Sequence, residues 1–146
     1  MTWLKSFRAI FTAPPRANCV RPILWQDLQP LLSSWGQGRF GFLTRAAAKG
    51  KRPVKVAEMG HHVTLCDLSA EMVARARQAA ADKGVIDNMH FVQCAAQDIA
   101  QHLESPVDLI LFHAVLEWVA EPQEMLRTLW SVFTTRRCVI VNVLQC

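Results

Sequence analysis

The sequence predicts an α/β chain built on a doubly wound, mainly parallel sheet. Three observations carry this. Short β-rich runs alternate with helical stretches, as in chains whose parallel strands are joined by helical crossovers. The run Val107-Asp108-Leu109-Ile110-Leu111 is almost continuously apolar, as strands buried on both faces are. The segment Val63-Thr64-Leu65-Cys66-Asp67 ends a β-rich run on an acid, with Ser69 opening a helix just after it.

Taken in chain order, Ile23 to Ser34 reads as an amphipathic helix broken or kinked near Pro30. His62 to Cys66 reads as a strand and Ser69 to Lys83 as a helix. Ser69 suits the N-cap, Glu71 suits the positive end of the helix dipole, and Gly84 suits the C-terminal stop. Met89 to Gln93 forms the next strand, ahead of Cys94-Ala95-Ala96-Gln97-Asp98. Val107 to Leu111 follows after Pro106. Pro122 sits at a first helical position, opening a helix to about Val132, and Cys138 to Leu144 reads as a final strand. The pattern contains no internal repeat and no low-complexity linker.

A carboxylate directly after a strand can accept hydrogen bonds from both hydroxyls of a ribose, since its two oxygens match a vicinal diol. Asp67 stands in that position. The residues alone leave two roles open for it: ribose acceptor and helix cap.

The chain has 146 residues, enough for one domain with a real core, and its 51% hydrophobic content excludes disorder. No apolar run reaches the roughly 18 residues that span a membrane. Five cysteines (Cys19, Cys66, Cys94, Cys138 and Cys146) form no metal-like spacing and leave one unpaired, which fits a reducing, cytoplasmic setting with no metal.

Charge is distributed very unevenly. Segments 1–22, 37–53 and 134–146 hold 11 of the 16 basic residues and none of the 12 acids. The remaining 94 residues hold five basic residues against twelve acids, a net of −7. The overall +4 therefore describes an acidic domain interrupted by three basic stretches. Taken singly, those stretches read as a transit peptide at the start or as nucleic-acid contacts.

The block from Gly60 to Val132 resembles the class I S-adenosylmethionine-dependent methyltransferases and, within them, the bacterial tRNA 5-carboxymethoxyuridine methyltransferases. Gly60 through Ala70, Asp87-Asn88-Met89, Cys94 through Asp98 and, above all, Pro106 through Val119 carry the likeness, and Leu24-Trp25-Gln26-Asp27-Leu28 adds to it. The resemblance implies an incomplete Rossmann-like methyltransferase fold, truncated near its fifth strand, with S-adenosyl-L-methionine as cofactor and tRNA as partner. It implies that Asp67 holds the cofactor ribose and that Ala96 and Gln97 line the adenine. Asp98 is a weaker adenine candidate, with helix capping as its other role. His113 would lie at the carboxyl ends of the strands, where ligands bind in such sheets, and Glu117 and Trp118 would stand beside the site.

The implied reaction moves a methyl group from a sulfonium to the carboxylate of a wobble uridine. That carboxylate is ionised at neutral pH, so in-line positioning and desolvation suffice and no catalytic acid or base is assigned.

One family feature is missing. A glycine-rich turn, roughly Asp-Ala-Gly-Gly-Gly-Glu-Gly-Gln-Thr-Ala, follows the first strand in the family and lets the backbone approach the ligand. Here the matching stretch is Thr44-Arg45-Ala46-Ala47-Ala48-Lys49-Gly50-Lys51-Arg52-Pro53. Writing the family pattern as GAC GCG GGC GGC GGC GAA GGG CAA ACG GCC and reading from the second base returns that stretch at every position. Back-translations of Ile10 to Cys19 and Phe133 to Gln145 recover family-like sequence in the same way. The expectation is therefore that segments 23–36 and 54–132 are family-like, whereas 1–22, 37–53 and 134–146 are out of frame. An inactive, frameshifted fragment without cofactor binding is the alternative to an active methyltransferase. Its terminal strand would lack neighbours and leave an exposed edge. A basic nucleic-acid-binding protein and a dinucleotide oxidoreductase fit the residues less well.

Overall fold

The computed structural model describes residues 7–12, 29–30, 32–34, 40–45, 51–113, 119–133 and 138–143. The first strand, β1 (Phe7–Thr12), is followed by β2 (Gly41–Arg45), helix α1 (Lys51–Glu58), β3 (His62–Asp67), α2 (Ala70–Asp82) and β4 (Met89–Gln93). Then come a 3₁₀ segment (Ala96–Gln101), β5 (Leu109–His113), α3 (Pro122–Ser131) and β6 (Cys138–Val143). Residues 29, 30 and 32–34 are helical, within the span expected to form the first helix.

The six strands form one sheet in the order β1-β6-β5-β2-β3-β4, and every pairing is parallel. Leu43 faces Thr64 on one side and Ile110 on the other, so β2 lies in the middle of the sheet. The chain leaves β2 outward to β3 and β4, then crosses back to β5 on the opposite side of β2. That reversal is the switch point at which doubly wound sheets bind ligands, beyond the carboxyl ends of their strands.

Successive residues point to opposite faces, and the sheet is buried on both. Phe42, Leu65 and Leu109 face α1 and α2 and pack with Val54, Ala57, Val73, Ala76 and Ala80. Leu43, Cys66 and Ile110 face the other way and pack with Ile99, Met125 and Leu129.

Local chemistry sets the ends of these elements. Ser69 caps α2, its Oγ accepting from the Met72 amide at 3.3 Å. Gly84 closes the same helix with φ +68°, a left-handed conformation that suits glycine, while the amide of Val85 donates to Ala80 O at 3.0 Å. Pro122 lies in the first turn of α3. The start of β2 is held by a reciprocal pair: the Gly41 amide donates to Asp108 Oδ2 at 2.9 Å, and the Asp108 amide to Gly41 O at 2.8 Å.

Two expectations are corrected. The strand around residue 109 begins at Leu109, not Val107, since Val107 makes only an isolated bridge to Phe133 while Asp108 holds Gly41. The final strand does not lack neighbours, because β6 lies between β1 and β5. The stretch 37–53 contains β2 and the start of α1, where no element was expected from the sequence.

Candidate functional site: a cleft at the carboxyl ends of the central strands

The carboxyl ends of β2, β3 and β4 lie side by side and open a cleft of about 200 Å³. Arg45 comes from β2, Cys66 and Asp67 from β3, and Cys94, Ala96 and Gln97 from the segment after β4. Leu68, Val119 and Met125 complete the lining.

Asp67 is the last residue of β3 and only 5% exposed. Its Oδ1 accepts from the Ser69 amide at 2.8 Å, and its Oδ2 from Arg45 Nε at 3.3 Å. Asp67 thus braces the turn into α2, and it also lines the cleft. A carboxylate has about four lone-pair positions, so two such contacts leave it acceptor capacity.

Ala96 opens the 3₁₀ segment and Gln97 follows it, exposed at the cleft. Asp98 is exposed too, but does not line the cleft; its amide donates to Ala95 O at 3.0 Å. His113 ends β5 beside Val143 of β6, on the same sheet edge as Asp67. Its side chain, along with Glu117, Trp118 and the segment Leu24 to Leu28, lies outside the described residues.

Within the cleft lining, burial pushes the Cys66 thiol up to about 12, and the neighbouring Cys94 and Asp67 push in the same direction. Burial, then Asp98, also raises Cys94. Both shifts favour the neutral thiol over the thiolate. Among the described residues no group of three histidines, cysteines or acids is placed to hold a metal.

Sequence reasoning missed Arg45, Leu68, Val119 and Met125. Leu68 carried a legible signal: it is a large apolar residue in a strand-to-helix turn, and it stays 68% exposed at the cleft edge. Arg45 carried none, because the basic stretch around it concealed a strand.

The adenosyl end of S-adenosylmethionine fits these residues. Asp67 offers oxygen to a diol, and Ala96 and Gln97 offer a small side chain and backbone groups at the distance of two strand spacings from β2. The fit ends at β2, where Arg45 already contacts Asp67 and no run of glycines follows.

The sheet order, the switch point and this cleft define a Rossmann-like methyltransferase fold. The sequence pattern of the methyltransferase-domain family matches residues 36–145, and the chain belongs to that family. It is 60% identical over 110 residues to the tRNA 5-carboxymethoxyuridine methyltransferase of Escherichia coli (strain K12), a match covering 75% of this chain and 42% of that one. The same figures hold for the protein of that name from Escherichia coli O157:H7. The chain thus spans about two-fifths of the length of these relatives.

Solved structures share the fold. The plantazolicin methyltransferase, crystallised with S-adenosylhomocysteine, superposes with a TM-score of 0.69 at 20% identity, over 86% of this chain and 46% of that one. Magnesium protoporphyrin IX methyltransferase from Synechocystis PCC 6803, with bound S-adenosylmethionine, does so with a TM-score of 0.63 at 18% identity, over 83% and 62%.

Proposed function

We propose that this chain carries the cofactor half of an S-adenosylmethionine-dependent enzyme that methylates the carboxylate of 5-carboxymethoxyuridine in tRNA. The observation that carries the reading is the position of Asp67, buried at the end of β3 and lining a cleft that Ala96 and Gln97 also line. The 60% identity to the Escherichia coli enzyme supports the substrate. His113 is a further proposed cofactor contact, at the end of β5.

When bound, the cofactor supplies an electrophilic methyl group, and the chain's own residues bind and orient it. Asp67 accepts from the ribose, while the Ser69 amide holds that carboxylate in place. Backbone groups at Ala96 and Gln97 read the adenine edge. An ionised acceptor carboxylate needs no proton removed, so the absence of any assigned catalytic acid or base agrees with this chemistry.

A second reading has its own support. Arg45 contacts the oxygen that the ribose needs, and residues 44–53 contain a single glycine. On that reading the chain is an inactive relative, and segments 1–22, 37–53 and 134–146 arose by one-base shifts. Resequencing the coding DNA across codons 37–53 and 134–146 tests the shifts.

The function is tested by transfer of labelled methyl from S-adenosylmethionine to tRNA bearing 5-carboxymethoxyuridine. Label in that tRNA and not in tRNA lacking the modification supports the first reading. No label, together with no cofactor binding, establishes the second.

A further inference from the structure

Three sulfur-bearing side chains line the cleft, and the adenosyl reading gives them no part: Cys66 on β3, Cys94 just past β4 and Met125 on α3. All three belong to one apolar cluster, on the face of the sheet that also packs Ile99, Ile110 and Leu129. All three are buried. They stand far apart in the chain, so no metal-like spacing betrays them in the sequence.

The sheet register sets how the two thiols meet. Cys66 pairs with Val92, and Cys94 lies two residues beyond Val92, so the cysteines share one face of adjacent strands. A strand spacing of about 4.8 Å and a two-residue rise of about 6.6 Å separate their Cα atoms by about 8 Å. A disulfide needs Cα atoms within about 7 Å, and both thiols are free. A single ion bonded to two sulfurs at about 2.3 Å each holds them about 4.6 Å apart, a gap that suits side chains leaning together from that spacing.

The donor set selects the ion. Thiolates and thioethers are soft ligands, and they favour Cu(I) over the harder divalent ions. A tetrahedral zinc site needs four nitrogen, oxygen or sulfur ligands, and among the described residues not even three histidines, cysteines or acids are grouped. Two thiolates around one monovalent cation leave a net negative charge, and Arg45 lines the same cleft with a positive one.

We propose that Cys66, Cys94 and Met125 form a binding site for a soft monovalent cation, Cu(I), in this cleft. Binding breaks two S–H bonds and forms two Cu–S bonds, while the thioether adds a third, weaker bond. Two protons pass to solvent and no oxidation state changes. The proposal does not rest on the adenosyl-site reading, because it uses other atoms and is read with the ion alone. Burial holds both thiols protonated near neutrality, so affinity should rise about 100-fold per pH unit between pH 6.5 and 7.5.

The test is anaerobic competition for Cu(I) against bicinchoninate. It uses the full chain carrying Cys19→Ser, Cys138→Ser and Cys146→Ser, which removes the other thiols. One Cu(I) per folded chain is expected. In that background Cys66→Ala and Cys94→Ala should each weaken binding by about 100-fold or more and cut the pH dependence to about tenfold per unit. Met125→Leu, which nearly conserves volume, should weaken binding about tenfold and keep the full pH dependence. If Cys66→Ala does not melt cooperatively, Cys94→Ala and Met125→Leu decide.

No Cu(I) bound, unchanged affinity in any folded variant of the three, or equally tight binding by the urea-unfolded chain would overturn the proposal. Each of those results leaves the adenosyl site standing, since that site is read with a different ligand.

Discussion

Replacing Asp67 separates its two roles. In Asp67→Asn, Oδ1 can still accept from the Ser69 amide, now 2.8 Å away, so the turn into α2 keeps its brace. The charge is lost, and an amide NH₂ group replaces the oxygen facing Arg45. Hydrogen bonds to an ionised carboxylate contribute about 1.5 to 3 kcal/mol each, and a ribose diol makes two. Displacing the partly exposed Arg45 contact offsets at most about 1 kcal/mol of that. The net loss on substitution is therefore about 2 to 5 kcal/mol, or roughly 30-fold to several thousand-fold in affinity, at 1.4 kcal/mol per decade.

Asp67→Ala should lose the same affinity and also destabilise the fold by about 1 to 3 kcal/mol, because the Ser69 amide loses its acceptor. The assay pairs calorimetric titration with S-adenosylhomocysteine and urea unfolding of each variant without ligand. An Asp67→Asn protein that binds as tightly as the wild type would refute the ribose role and leave Asp67 as a structural brace.

Three further outcomes follow from the packing. Gly41→Ala places a methyl group 3.1 Å from Pro106 O and 3.3 Å from Val107 Cα, both backbone atoms. It should cost about 1 to 3 kcal/mol, read as a fall of about 1 M in the urea midpoint; an unchanged midpoint would show that β2 shifts freely. His61 is buried against Phe40 and Phe42, its Nδ1 accepts from the Phe40 amide at 3.4 Å, and burial lowers its pKa below 6.5. The unfolded chain then takes up the proton first, so His61 favours the fold above pH 6.5, and this contribution declines as pH falls. Urea melts at pH 7.5 and 5.5 should show a smaller pH loss in His61→Gln than in the wild type. The Cys66 thiol, at about 12, is ionised in only about one molecule in ten thousand at pH 8, so iodoacetamide should label it in the native chain only as fast as the chain unfolds.

The parts of the fold legible in the sequence were those in which local chemistry and packing agree. Met89–Gln93 forms the strand expected, and Ser69 and Gly84 bound α2 as a cap and a left-handed stop should. Pro122 opens α3 for the same reason, its fixed φ suiting a first turn. β2 and α1 were illegible. Gly41–Arg45 has only Phe42 and Leu43 as large apolar residues, and its buried Thr44 and exposed Arg45 blur the pattern. Lys51–Glu58 begins with two bases and a proline, although Pro53 falls in the first turn, where it is tolerated, and Val54, Val56 and Ala57 supply the buried face.

In the site, Asp67, singled out as the acid that ends a β-rich run, and Ala96 and Gln97, singled out by the family resemblance, all line one cleft. Arg45 was not singled out, since its contact with Asp67 spans 22 residues and depends on the pairing of β2 with β3. That pairing is a tertiary fact with no local sequence signal.

The central claim is that the cleft at Asp67, Ala96 and Gln97 is an adenosyl site. Titrating S-adenosylhomocysteine into the isotope-labelled chain, with amide chemical shifts followed by NMR, tests it most directly. The account predicts saturable shifts concentrated at Asp67, Leu68, Ala96 and Gln97 and in the first turn of α2. Shifts confined to the outer face of α2 around Arg77 and Gln78, or none at millimolar ligand, would contradict it.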